Sequence, residues 1–351
     1  MNQNSTVSAP AAHPHPARPR RRSLTWLKRG LLGLAITLLT LGGAGAIYQA
    51  IATAIDRRNY TPPGQLVEIG GRRLHMVVTG KDTGQPAVIL DGGMAGFSSN
   101  FFWVQSELAA ATRVVAYDRA GLGWSDPAPE PQDAYQAAHD LHAALAAAGI
   151  NAPYVVAGHS YGGLVVRAFT DLYPDEVVGM VLIDASHPDQ WAHIPASRDG
   201  RLNGRGNHFT AFLARFGIVR LFQPGRAVYA GLPERPAAEM RAILAQPQSW
   251  STGGEVLLLW NERTRPQINQ AARLGDLPLA VLSVTEQALY ADVLTGLQAE
   301  LATLSSNSLH YTEAGATHES LVAERDHALV VVEAIRRVLE AARTGQPLES
   351  N

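Results

Sequence analysis

Four near-continuous apolar runs dominate the middle of the chain: AVILDGG (87–93), RVVAYDRAG (113–121), YVVAGHS (154–160) and VVGMVLIDAS (177–186). Runs of this kind, rich in β-branched residues and bounded by Gly, Asp and Ser, predict parallel strands buried on both faces. Between them the apolar positions recur at helical spacing, as over 132–148, where Leu141 and Leu145 share a face, and over 163–173. Strand and helix thus alternate at βαβ spacing. Before them, LVEI and RRLHMVVTG flank Gly70-Gly71, two residues able to take the positive φ of a tight hairpin, so the sheet is expected to begin antiparallel. The rhythm breaks over 187–277, where Trp191, Phe209, Phe212, Phe216, Phe222, Trp250 and Trp260 are scattered among Pro and Gly; this segment reads as an inserted helical cap. The core pattern resumes with LPLAVLSVT (277–285), a helix over 291–304, the strand SLHYTEAG (308–315), and a last helix striped by Leu329, Val332, Ile335, Val338 and Leu339. The expected core is therefore 62–186 with 278–345, interrupted by a cap over 187–277.

The N-terminus follows a different pattern. Residues 1–22 are rich in Pro, His, Ala and Arg without apolar periodicity, and 1–30 is expected to be a disordered basic tail. Residues 31–55 then hold no charge for 25 positions, and about 20 apolar residues suffice for a transmembrane helix. Arg18, Arg20, Arg21, Arg22, Lys28 and Arg29 precede this run, whereas Arg57 and Arg58 follow beside Asp56. The positive-inside bias keeps the N-terminus cytoplasmic and puts the remaining chain outside. A cleaved signal peptide with Ala44-Gly45-Ala46 as its processing site is the competing reading; the apolar run past that site favours an anchor.

Charge and composition narrow the function classes. A formal net charge of -2 gives no reason to expect nucleic acid, and the absence of cysteine removes disulfides, thiol nucleophiles and thiolate metal sites together. No glycine-rich phosphate loop, zinc-spaced histidine pair or calcium loop is found, so no cofactor is expected. What stands out is GHSYG (158–162), a Gly-x-Ser-x-Gly run between a buried strand and a helix. In that context the run is a nucleophile elbow, with Ser160 projecting above the sheet and Gly158 and Gly162 small because the turn is sharp. A serine is a poor nucleophile unless a histidine removes its proton and a carboxylate fixes that histidine.

Four motifs, GGMAG (92–96), YDRAGLGWSD (117–126), GHSYGG (158–163) and GATHESL (315–321), occur in an order and at spacings that make residues 62–342 resemble an α/β-hydrolase-fold enzyme of the esterase and lipase-like superfamily. The resemblance implies a mostly parallel sheet flanked by helices, with His318, just after the last strand, as the base. It allows the acid at either of two strand ends: Asp184, which is favoured, or one strand later, where Glu286 and Asp292 stand. It also implies an oxyanion hole from the backbone amides of Tyr161 and Met94, although Gly92 stands where the family often has histidine. Asp118, Arg119 and Ser125 are expected to brace that loop. His159 reads as the variable elbow position, and His187 and His193 as solvent-exposed residues bordering the cap.

The expected activity is hydrolysis of an ester or related acyl compound through an acyl-enzyme, on a small and apolar substrate held under the aromatic cap. The same triad serves C–C or amide hydrolysis and acyl transfer. Serine in the elbow argues against epoxide hydrolase or dehalogenase chemistry, which would need aspartate there. A non-catalytic, membrane-tethered binding protein on this fold would be expected to have lost Ser160 or His318, and both are present.

Overall fold

The computed structural model describes residues 21–194, 200–285 and 291–348. The chain divides into two compact units, Met1–Ala44 and Gly45–Asn351. Helix α1, Arg21–Asn59, supplies the described part of the first and continues into the second. Over 25–59 it is long and apolar enough to cross a membrane, with a mean hydropathy of 1.9 in its most apolar window and none of that window buried in protein. The 25 uncharged positions alone rise roughly 38 Å at 1.5 Å per residue, more than the ~30 Å hydrocarbon core. The helix corrects the expected bounds, since 21–30 is helical rather than disordered. Once nucleated, a helix extends at little cost through residues such as Leu24, Leu27, Lys28 and Arg29, which have good helix propensity.

In the second unit the described strands form one eight-stranded sheet: β1 (Gln65–Glu68), β2 (Arg73–Thr79), β3 (Ala87–Asp91), β4 (Val114–Tyr117), β5 (Tyr154–His159), β6 (Val177–Ile183), β7 (Leu279–Val284) and β8 (Ser308–Glu313), in the order β1-β2-β4-β3-β5-β6-β7-β8. β2 is antiparallel to both its neighbours, and every other pairing is parallel. Gly70 and Gly71 turn the first hairpin at φ 85° and 95°. The apolar runs serve two faces at once. Ala87 and Ile89 pack with α3 (Ala134–Ala147) and α4 (Gly162–Leu172), while Val88 and Leu90 face α2 (Phe102–Leu108) and the C-terminal helix described below. Because β4 and β5 lie on opposite sides of β3, a crevice opens at the C-terminal ends of β3 and β5, the place where ligands bind in open α/β sheets.

The described part of the segment between β6 and β7 is built of helices joined by turns: α5 (Gln190–His193), α6 (Gly200–Ala214), α7 (Ile218–Phe222), α8 (Glu234–Leu244), α9 (Pro247–Leu259) and α10 (Arg265–Ile268). A π-helical turn, Trp260–Thr264, joins the last two. The sheet is completed by α11 (Ala291–Ala302), α12 (Ser320–Ala323) and α13 (Arg325–Thr344), the last ended by Gly345 in the left-handed region. Val331, Val332, Ile335 and Val338 of α13 cover the Val88/Leu90 face. The residues of α1 from Gly45 onward pack against the cap: a Cβ on Gly45 would come within 2.5 Å of the Phe216 carbonyl, Gln49 Nε2 donates to the Ala245 carbonyl at 3.0 Å, and Arg220 pairs with Asp56 at 2.7 Å.

Candidate active site

Ser160 occupies the single residue between Tyr161, which caps α4, and the end of β5, at φ 55°. Left-handed backbone costs a non-glycine residue about 1–2 kcal/mol, so the turn has to be held from outside. The Ser160 amide donates to the Ile183 carbonyl at 3.1 Å, and its own carbonyl accepts from Gly163 at 3.0 Å and Ser186 at 2.8 Å. Smallness at the flanking glycines is steric. A Cβ on Gly158 would run into the backbone of Gly162 and Gly163, and one on Gly162 into the carbonyls of Asp91 and Gly92.

Asp184 follows β6 directly, is buried, and also has positive φ, 40°. His318 lies between β8 and α12, in a loop tied by the Thr317 amide donating to Ser320 Oγ at 2.8 Å. Its Nδ1 meets Asp184 Oδ2 at 2.5 Å. With Nδ1–H donating to the carboxylate, the neutral ring keeps its lone pair on Nε2, the tautomer a general base needs. Loss of hydration opposes protonation of His318, but the hydrogen bond and charge of Asp184 outweigh it, with Glu319 adding to them, and hold its pKa above 6.5. Asp292 is exposed in the first turn of α11, and Glu286 lies outside the described residues.

The elbow and the histidine loop are joined by a contact that the sequence alone did not reveal. His159 Nε2 donates to the His318 carbonyl at 2.9 Å, and the two rings stand 4.5 Å apart. Burial first, and then the neighbouring His318, push the His159 pKa down to about 3, so this ring is neutral near pH 7. His187 differs from expectation in being buried, its Nδ1 accepting from the Asp189 amide at 3.1 Å; His193 is exposed.

The 92–96 loop comes close to the serine: a Cβ on Gly93 would be 3.3 Å from Ser160 Cβ. Arg119 holds this loop through its carbonyls, donating to Gly92 at 2.6 Å, Met94 at 3.3 Å and Gly93, and it pairs with Asp91, which also accepts from the Tyr117 hydroxyl. Burial pushes the Asp91 carboxyl up, against the pull of Arg119 and Tyr117. Asp91 was not singled out from sequence, although an acid closing a buried strand ahead of two glycines, with an arginine in DRAG to meet it, was there to be read. Asp118 braces the outer side, accepting from the Ser98 amide at 2.8 Å, the Trp124 amide at 2.9 Å and His75 Nδ1 at 2.8 Å; Ser125 Oγ donates to the Asp118 carbonyl at 2.6 Å.

Ser160, Met94 and Tyr161 line one cavity of about 620 Å³, roofed by Trp191, Phe209, Leu257 and Trp260, with Asn203, Asn207 and Gln190 adding polar groups. A second cavity, about 430 Å³ between Tyr60, Trp124 and Gln246, is lined by none of Ser160, Asp184 and His318. Among the described residues no group of three His, Asp or Glu side chains is placed to hold a metal ion.

The family model for the alpha/beta hydrolase fold matches residues 86–227. A stretch of 136 residues is 32% identical to the probable transporter efuK of Hormonema carpetanum, covering 37% of this chain and 20% of that protein. The chain spans less than two thirds of the curated relatives it matches at the head of the comparison. Among solved structures, a thermophilic esterase from Thermogutta terrifontis superposes with a TM-score of 0.60 at 20% identity, over 80% of this chain and 99% of its own. The epoxide hydrolase CorEH superposes with 0.62 at 20% identity, over 78% and 96%. These likenesses establish the fold; the residues at the elbow are this chain's own.

Proposed function

We propose that this chain, an α/β-hydrolase-fold protein, is a serine hydrolase that cleaves an ester or related acyl substrate through an acyl-enzyme intermediate. The observation that carries this reading is the left-handed elbow of Ser160, opening into an apolar-roofed cavity and joined through His159 to a histidine already bonded to a buried carboxylate. In the reaction, Ser160 Oγ attacks the acyl carbon while its proton passes to His318 Nε2. The imidazolium is stabilised by Asp184, and the oxyanion develops toward the Met94 and Tyr161 amides, donors worth about 3–4 kcal/mol each. His318 then protonates the departing alcohol as the C–O bond breaks. In the second half a water gives its proton to His318 and attacks the acyl carbon, and His318 returns that proton to Ser160 Oγ as the acyl bond breaks and the acid leaves. The likeness to epoxide hydrolases does not favour their chemistry, because the elbow carries serine.

The decisive measurement is labelling by a fluorophosphonate with peptide mapping. The probe is expected on Ser160, and Ser160→Ala is expected to abolish both labelling and ester turnover while melting like the parent. Undiminished hydrolysis by a folded Ser160→Ala protein would overturn the serine mechanism. A panel of esters, amides and β-diketones separates ester cleavage from amide and C–C cleavage by the same residues. We also propose that α1 is a retained anchor, with its basic N-terminal flank cytoplasmic and the catalytic unit outside, on the charge asymmetry about its uncharged run.

A further inference from the structure

We propose that the face of the cap carrying Phe212, Leu221 and Phe222 docks on the surface of a phospholipid bilayer, and that the Ser160 cavity draws its acyl substrate from that bilayer. The second half rests on the serine hydrolase reading; the first does not.

The cap exposes large apolar side chains that neither the core nor the site uses. Phe209 is 60% exposed, Phe212 48%, Leu221 67% and Phe222 79%. The first two belong to a ladder on α6, and Leu221 and Phe222 stand on the next helix, α7. The Phe209 and Phe212 rings stack with centroids 6.4 Å apart, and Phe212 meets Phe216 edge-on at 5.1 Å. One end of this ladder, Phe209, lines the cavity of Ser160. The other end, Phe216, lies against Gly45 of α1, next to the Tyr48–Gly217 contact. The part of α1 that follows is itself apolar and exposed at Ile47, Ile51 and Ile55. Aromatic residues therefore lead from Gly45 and Tyr48, within the larger unit, to the cavity of the candidate nucleophile.

Charge selects the occupant. From residue 200 to 233 the sequence holds Arg201, Arg205, Arg215, Arg220 and Arg226 and no Asp or Glu. Arg220 is used by Asp56, while Arg215 and Arg226 are exposed, as are Arg57 and Arg58 at the end of α1. Exposed Phe and Leu in a stretch of sequence that carries arginines and no acids match the boundary between headgroups and acyl chains, where apolar groups sink and cations meet lipid phosphate. Acyl chains at that boundary would meet the Phe209 end of the ladder and the cavity behind it.

The lack of native cysteine makes the test direct. Leu221→Cys and Phe222→Cys, each in the full chain, are labelled with a polarity-sensitive bimane and reconstituted in nanodiscs of phosphatidylcholine and phosphatidylglycerol. Asp175→Cys, exposed at the opposite end of β6 from the cap, serves as reference. The expected result is blue-shifted emission at 221 and 222, with quenching by doxyl lipids several-fold stronger than at 175. Emission and quenching equal to those at 175 overturn the docking. So does a blue shift indifferent to doxyl lipid that grows with the number of chains per disc, which would mean that a second copy covers the face. For substrate delivery, the double change Phe212→Asp with Phe222→Asp is expected to lower turnover of a bilayer-resident diacylglycerol at least tenfold and to leave soluble p-nitrophenyl butyrate within twofold. Equal loss of both esters overturns delivery. Strong doxyl quenching in a parent that turns over no ester would uphold the docking and remove the hydrolase reading.

Discussion

Asp184 and Ser160 both sit on left-handed backbone, and their geometry makes their roles separable by experiment. Asp184→Asn is expected to lower kcat by about 10³–10⁴, as loss of a triad carboxylate does elsewhere, because the amide no longer fixes the Nδ1–H tautomer. Asp292→Asn, at an exposed helix start, is expected to stay within about twofold in the same assay. The base must be neutral to accept the serine proton, and Asp184 holds the His318 pKa above 6.5, so kcat/KM should fall as pH drops through a value above 6.5. Residual activity of Asp184→Asn should have that limb at lower pH. His159 titrates in the opposite sense. Its folded pKa of about 3 against an ordinary 6.5 means that the unfolded chain binds the proton first, so stability rises with pH between those values and is lost as pH falls through them. Thermal melts across that range should flatten in His159→Asn. Arg119 acts through the loop it holds. Arg119→Lys cannot reach several carbonyls at once and should lower kcat about tenfold or more with little change in KM for a short ester.

At the scale of elements, the elbow depends on β5, α4 and β3 meeting with nothing between them. Gly158→Ala is expected to destabilise by about 1–3 kcal/mol or more, read as a lowered urea midpoint with unchanged slope, because the added methyl meets backbone of α4 that has no rotamer to change. Much of this level was legible in the sequence. Strands buried on both faces write themselves as unbroken apolar runs, and a Gly-x-Ser-x-Gly at a strand end has few other uses. The partner of His318 was only partly legible: Asp184 was favoured, but Glu286 and, more remotely, Asp292 also follow an apolar run one strand later. What separates Asp184 from Asp292 is three-dimensional: the pairing of β5 with β6 and of β6 with β7, which brings Asp184 to the loop after β8. The cap announced itself only as a broken rhythm. Its helices are packed by residues far apart in sequence, such as Trp260, whose indole donates to the Pro188 carbonyl at 2.8 Å.

For the whole molecule, the anchor reading has a plain outcome. Carbonate-washed membranes should retain the protein with residues 31–55 intact, and protease added outside should reach the region after Pro62 in intact cells or spheroplasts. A soluble product starting near Ile47 would replace the anchor with a processed leader, and a protected C-terminal unit would invert the topology. The bonds from Gln49 to Ala245 and from Asp56 to Arg220 give such cleavage an unexpected meaning. A chain cut at Ile47 still owns both residues, so the stump of the helix would stay stapled to the cap. A chain beginning at Thr61 would instead leave the Arg220 guanidinium without its carboxylate, and should melt several degrees lower than the Ile47 form. The boundary between the two compact units falls just ahead of this staple, at Ala44–Gly45, so Gly45–Asn59 packs as part of the larger unit whatever happens to the apolar run before it.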